Sequence, residues 1–142
     1  MSKVTEEQRR QMIAEAAYFR AERRGFGGDS VGDWIEAESE IDDRLRQIDQ
    51  KYLLASLDEG IAVATKKVSA MKRKASTAAA SARANLQRDV EQLVTLRDFV
   101  RAKAKELRDE GTRAGELAFH QAERACHDLA DALRRLGTPT SH

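Results

Sequence analysis

The sequence predicts an all-α protein: an N-terminal helix–loop–helix module followed by long helices that form a hairpin, a bundle or a coiled coil. Three observations predict it. Ala, Glu, Lys, Arg and Leu dominate a chain with 35% charged and only 5% aromatic residues, the composition of long helices rather than of a thick globular core. The single proline, Pro139, lies near the C-terminus, so no proline interrupts a helix before it. Apolar residues recur at steps of three and four, and no stretch alternates as a strand would. With 41% hydrophobic residues, much of it alanine, the chain is too apolar to remain disordered.

The first helix is expected from residue 5 to 24. Thr5 stands at its N-cap, Glu6 and Glu7 fall in the first turn, and Gln8 occupies the capping-box position. Met12, Ile13, Ala16, Ala17 and Tyr18 or Phe19 give it a narrow apolar face. Arg23 and Arg24 suit its negative end, and Gly25 is placed as its C-terminal stop. After the loop Gly25-Phe26-Gly27-Gly28, Asp29 or Ser30 can start a second helix. Its expected stripe is Val31, Trp34, Ile35, Ile41, Leu45, Ile48 and Tyr52, with Trp34 covering the small residues Ala16 and Ala17. A loop of this length joins helices that lie antiparallel.

Beyond the module, Ser56-Leu57-Asp58-Glu59 fits a capping box beside Gly60, and a turn is expected there. The apolar line then runs Ile61, Ala64, Val68, Met71, Ala75, Ala78, Ala82, Leu86, Val90, Leu93, Leu96, Val100, Ala104 and Leu107. Its steps of three and four form a coiled-coil-like seam, clearest at Leu86, Val90, Leu93, Val100 and Leu107. The alanine-rich stretch from Ala75 to Ala84 leaves room for a bend. A second break is expected at Asp109 to Thr112, with Thr112 capping a last helix. That helix carries Leu117 or Ala118, Ala122, Ala125, Leu129, Ala132 or Leu133, and Leu136, and it ends at Gly137 and Pro139. The expected division is a module over residues 1–55, an amphipathic helical region over 56–137, and a frayed tail over 138–142.

The pattern Ile13, Ala17-Tyr18, Gly25, Gly28-Asp29, Asp33-Trp34 and Ala37-Glu38 resembles the bacterial domain of unknown function 2934. The resemblance covers about residues 10 to 45, under a third of the chain. It implies a helix–loop–helix module with no established activity, and so carries over no catalytic residue. It marks Ala17, Tyr18, Gly25, Trp34 and Glu38 as structural anchors, with Glu38 expected to bond loop amides or Tyr18. The middle region resembles, more loosely, the alanine-rich helices of phasins.

Charge is unevenly spread although the net charge is only +1. Residues 29–59 hold ten acids against three bases, a balance of −7, and residues 60–88 hold seven bases and no acid. A turn at Gly60 would lay the two blocks antiparallel and neutralise them. Lys66, Lys67, Lys72, Arg73 and Lys74 form the densest basic patch and the candidate anion-binding residues.

No catalytic residue, metal site or cofactor is expected. Glu36, Glu38, Glu40, Asp42 and Asp43 lack a companion histidine or nucleophile for acid–base work. His120, Cys126 and His127 fall short of the four ligands of a stable zinc site. The glycine loop precedes a helix but follows no strand and is not followed by Gly-Lys-Ser/Thr, so it is read as a turn rather than a phosphate loop. One cysteine fits a reducing compartment, and neither a signal peptide nor a transmembrane segment is apparent. The function expected is a non-catalytic helical interaction or scaffold protein of the bacterial cytoplasm, joined to a protein partner or to itself through its helices. The alternative is a binder of anionic surfaces, nucleic acid or lipid and polymer granules, through residues 66–74.

Overall fold

The computed structural model describes residues 4–136. The tail over 138–142, and the stop at Gly137 and Pro139, lie outside the described residues. Within them the chain is all-α: α1 (Glu6–Arg23), α2 (Ser30–Thr77), α3 (Ala80–Glu110), a 3-10 turn (Gly111–Arg113) and α4 (Glu116–Arg135). Two compact units divide between Lys51 and Tyr52, so α2 contributes its first part to one and the remainder to the other.

The first unit starts as its sequence dictates. The Thr5 hydroxyl accepts from the Gln8 amide at 3.1 Å, and the Gln8 side chain accepts from the Thr5 amide at 3.0 Å. At the other end of α1, Gly25 takes φ +74°, where a side chain would be strained. This lets the Phe26 amide reach back to Ala21 O at 2.8 Å and the Gly25 amide to Glu22 O at 3.0 Å, satisfying carbonyls that the helix end leaves open. Asp29 then caps α2, its carboxylate accepting from the Gly32 amide at 3.0 Å. The core of this unit is Ile13, Ala37, Ile41 and Leu45, with Val4, Met12, Ala16 and Ala17 packed against it.

That core corrects the expected stripe. The buried line on α2 is Asp33, Ala37, Ile41 and Leu45, while Val31, Trp34, Ile35, Ile48 and Tyr52 are exposed. Trp34, expected as a buried anchor, is 37% exposed. In this rotation of α2, Ala37, Ile41 and Leu45 pack on Ile13, and the flanking carboxylates Asp42, Glu36 and Glu40 meet Arg9 and Arg20 of α1.

The second unit packs three helical segments around one core: Leu53, Leu57, Ala64, Val68 and Met71 of α2, Val90, Leu93, Val100, Ala104 and Leu107 of α3, and Ala122, Ala125, Leu129 and Ala132 of α4, closed by Leu136. Asp58 pairs with Arg108, and Lys103 Nζ donates to Gln121 Oε1 at 3.3 Å, so α3 runs antiparallel to both neighbours. Gly60 lies against Leu129, and Lys67 bonds the Leu133 carbonyl, so α2 and α4 run parallel.

The turn expected at Ser56 to Gly60 is not there: all five residues lie inside α2. Leu57 is fully buried in the core and Asp58 pairs with Arg108, contacts made from a helix that continues through the expected break. Gly60 serves a different purpose. A Cβ at this position would come within 3.2 Å of the Leu129 Cδ2, so the absent side chain lets α4 approach α2. Gly60→Leu is therefore expected to destabilise the second unit by about 1–3 kcal/mol through overpacking. A thermal melt equal to that of the parent would contradict the approach of α4.

The chain turns instead at Ala78-Ala79, inside the stretch where a bend was allowed. The last carbonyls of α2 find donors close by. Ser76 Oγ donates to Arg73 O at 2.7 Å, Thr77 Oγ1 to Lys74 O at 3.3 Å, and the Arg83 guanidinium to Ala75 O and Ala78 O, both at 3.2 Å. These bonds stop the helix without glycine or proline. The apolar seam is consequently divided between α2 and α3, and its two parts face one another in one core. Leu86 is half-buried at the open end, whereas Leu93, Val100 and Leu107 are sealed. The last helix begins at Glu116 behind Gly115, and Thr112, expected as its cap, falls in the 3-10 turn.

Candidate functional site

The two units offer two different surfaces. In the first, the acids of α2 are answered by arginines of α1. Arg9 holds Asp42 through a fork, Nε at 2.7 Å and Nη2 at 2.9 Å, and lies 3.7 Å from Glu38. Arg20 spans Glu36 at 2.7 Å and Glu40 at 2.8 Å. Arg24 pairs with the buried Asp33. Glu38, expected to bond loop amides or Tyr18, is thus engaged by Arg9 instead. The groove lined by Arg20, Arg24, Asp29, Asp33, Glu36 and Glu40 is a lattice of charges that largely neutralise one another.

The pairing moves proton affinities. The hydrogen bond from Arg9 holds the Asp42 carboxyl below its ordinary 3.8, burial opposing it. The bond from Arg20 likewise holds Glu40 below 4.5. A carboxylate depressed in the folded state stabilises fully above its ordinary value and loses that contribution as pH falls through the lower folded value. The first unit is therefore expected to weaken from about pH 4.5 downward. Trp34, the single tryptophan, reports this unit alone. Its fluorescence against pH should show an acid transition that is flatter in an Asp42→Asn, Glu40→Gln variant; superimposable profiles would show that the pairs contribute nothing.

Above the loop, aromatic side chains gather at the surface. The rings of Tyr18 and Phe26 lie 5.5 Å apart and those of Tyr18 and Phe19 5.8 Å apart, edge to face. Tyr18, Phe19 and Phe26 are 56%, 57% and 62% exposed. Tyr18 is therefore part of a displayed cluster rather than a buried anchor, whereas Ala17 does pack against the core and Gly25 does form the stop. Apolar periodicity could not reveal this cluster, because Phe26 joins it from the loop, with a left-handed backbone at φ +61°.

The second unit carries the basic surface. Lys66, Lys72, Arg73 and Lys74 are exposed, and among the described residues no carboxylate pairs with them. Lys67 departs from the expected set, since its ammonium is half-buried and donates to the Leu133 carbonyl at the end of α4. Asp58 is the acid of the 29–59 block that reaches a base of this unit, and that base is Arg108.

His120 Nδ1 lies 3.6 Å from Glu123 and His127 is exposed, while Cys126 is a half-buried free thiol. Burial, and secondarily the charge of Glu123, pushes that thiol up. Among the described residues no group of three His, Cys, Asp or Glu is placed to hold a metal ion, and no helix is long and apolar enough to cross a membrane.

The helix–loop–helix of the first unit coincides with a family match. Residues 8–43 match the family described as "Protein of unknown function (DUF2934)". No curated protein and no solved structure matches the chain significantly. The match covers the whole arginine–carboxylate lattice and the aromatic cluster, and it stops short of the second unit.

Proposed function

We propose that the chain is a non-catalytic helical interaction or scaffold protein of the bacterial cytoplasm, associating with a protein partner or with further copies of itself. The observation that carries this reading is the cluster Tyr18, Phe19 and Phe26, in which Phe19 and Phe26 each pair with the Tyr18 ring while all three stay more than half exposed. Displayed aromatics are the usual anchors of protein interfaces. Keeping Phe26 there costs about 1–3 kcal/mol of backbone strain, because its φ is left-handed. A non-catalytic role is supported by the carboxylates of α2, which are tied to arginines rather than poised as bases. The half-buried free thiol of Cys126 suits a reducing compartment.

The test compares recovery of partners by the full chain and by a Phe19→Ser, Phe26→Ser variant from a bacterial extract, at low and high salt. Proteins held by the parent at high salt and lost by the variant are the expected result. Equal recovery by both, or recovery by the parent of nucleic acid or lipid alone, would contradict it.

A second reading is favoured by a separate observation, the basic residues of α2 that no carboxylate answers. In it, Lys66, Lys72, Arg73 and Lys74 bind an anionic surface.

A further inference from the structure

Four exposed bases of α2 in the second unit, Lys66, Lys72, Arg73 and Lys74, occupy the arc of the helix turned away from the core. Ala64, Val68, Met71 and Ala75 mark the buried side of α2. At 3.6 residues per turn, Lys66 and Arg73 share the side opposite that line, seven residues apart, and Lys72 and Lys74 project about 100° to either side of them. Lys66 to Lys74 spans about 12 Å at 1.5 Å per residue. A nucleic-acid duplex carries one charge per roughly 1.7 Å of its axis, so a patch of this length faces several phosphates.

The surroundings select among anions. From residue 72 to 85 the exposed side chains are Lys72, Arg73, Lys74, Ser76, Thr77, Ser81, Arg83, Asn85 and alanines. None is a bulky apolar wedge of the kind that enters a bilayer. No aromatic residue lies between Tyr52 and Phe99, so bases of a single strand have nothing on which to stack. The hydroxyls of Ser76 and Thr77 and the Arg83 guanidinium are occupied in closing α2, which fixes the backbone beneath the bases. The groove beside Lys72, lined also by Ser76, Arg83, Gln87 and Val90, carries Glu91, so the side free of acid is that of Lys66, Arg73 and Lys74, with Lys72 at its border.

We infer that the solvent-facing arc of α2 in the second unit, Lys66, Arg73 and Lys74 with Lys72 at its border, binds the phosphate backbone of duplex nucleic acid without reading its sequence. This rests on the anionic-surface reading and names its partner. No side chain on the face offers a base-reading constellation, whereas lysine and arginine suffice to hold phosphates.

The test is fluorescence anisotropy of the full chain with a labelled DNA duplex of mixed sequence, the matching single strand, and phosphatidylglycerol vesicles followed by co-sedimentation. Four phosphate contacts give an expected loss of about a hundredfold in duplex affinity between about 50 and 200 mM salt. A Lys66→Gln, Lys72→Gln, Arg73→Gln, Lys74→Gln variant should lose the binding with unchanged circular dichroism. A Lys66→Arg, Lys72→Arg, Arg73→Lys, Lys74→Arg variant should retain it. Arg73→Gln alone should lower the logarithmic salt slope by about 0.9. Vesicle binding without duplex binding would overturn this inference and leave the anionic-surface reading standing. Binding to neither would overturn both. Duplex binding undiminished in the glutamine variant, or tighter binding of the single strand, would also overturn it.

Discussion

Replacing Leu93 and Val100 together by aspartate is expected to abolish the cooperative unfolding of the second unit. Both side chains are fully buried, at a level where α2, α3 and α4 share one core. Each substitution removes an apolar side chain worth about 2–5 kcal/mol at such a site. Each also buries a carboxylate with no partner, a penalty of several kcal/mol. The sum is comparable with the whole net stability of a domain, about 5–15 kcal/mol. Circular dichroism should show lost helicity and a broad, non-cooperative melt. A sharp transition near that of the parent would mean that the heptad line faces water.

The second large effect is expected at Ile13. It is the one fully buried side chain that α1 contributes to the first unit, against Ala37, Ile41 and Leu45. Ile13→Ala should cost about 2–5 kcal/mol, in a unit whose core is small. Trp34→Ala should cost less than the roughly 3 kcal/mol at the lower end for a fully buried aromatic, because the indole is 37% exposed. Urea melts followed at Trp34 for Ile13→Ala, and by circular dichroism for Trp34→Ala, order the two. A larger loss for Trp34→Ala would restore the tryptophan as the anchor.

These two sites show what could be read from the sequence. The Thr5 and Gln8 cap, the stop at Gly25 and the start at Asp29 depend on neighbours within a few residues, and each forms as expected. The heptad of α3 and the stripe of α4 were also legible, because long strict periodicity leaves one face to bury. Three features were not. Ser56 to Gly60 carries a strong local stop signal, but the packing of Leu57 into the core and of α4 on Gly60 overrides it. The real turn at Ala78-Ala79 has no glycine or proline, and its donors come partly from Arg83 on the following helix. The rotation of the first part of α2 was likewise hidden. Hydrophobicity alone favours Trp34, while the face that turns inward carries Ala37, Ile41 and Leu45 and is flanked by pairs between residues far apart in sequence, Arg9 with Asp42 and Arg20 with Glu40.

The same pairs bear on the candidate sites. The basic patch was visible as a run of lysine and arginine, but whether it was already neutralised depended on the course of α2. The acids nearest in sequence were assigned to it by the expected turn. Of that acidic block, Asp33, Glu36, Glu40 and Asp42 are instead held by Arg9, Arg20 and Arg24, and Asp58 by Arg108. The aromatic cluster was not legible, since Tyr18 or Phe19 reads as part of the apolar face of the first helix and Phe26 as a loop residue, with nothing in the pattern to bring the three together.

The availability of the basic face rests on α2 continuing through Gly60. Amide hydrogen exchange across residues 56–62 measures this directly. Slow exchange from Asp58 to Ala62, comparable with Val68 and Met71 of the same helix, is the expected result. Rapid exchange confined to Glu59, Gly60 and Ile61, between protected flanks, would contradict it. That outcome would return the turn to Gly60 and give Lys66, Lys72, Arg73 and Lys74 carboxylates of the same chain as partners.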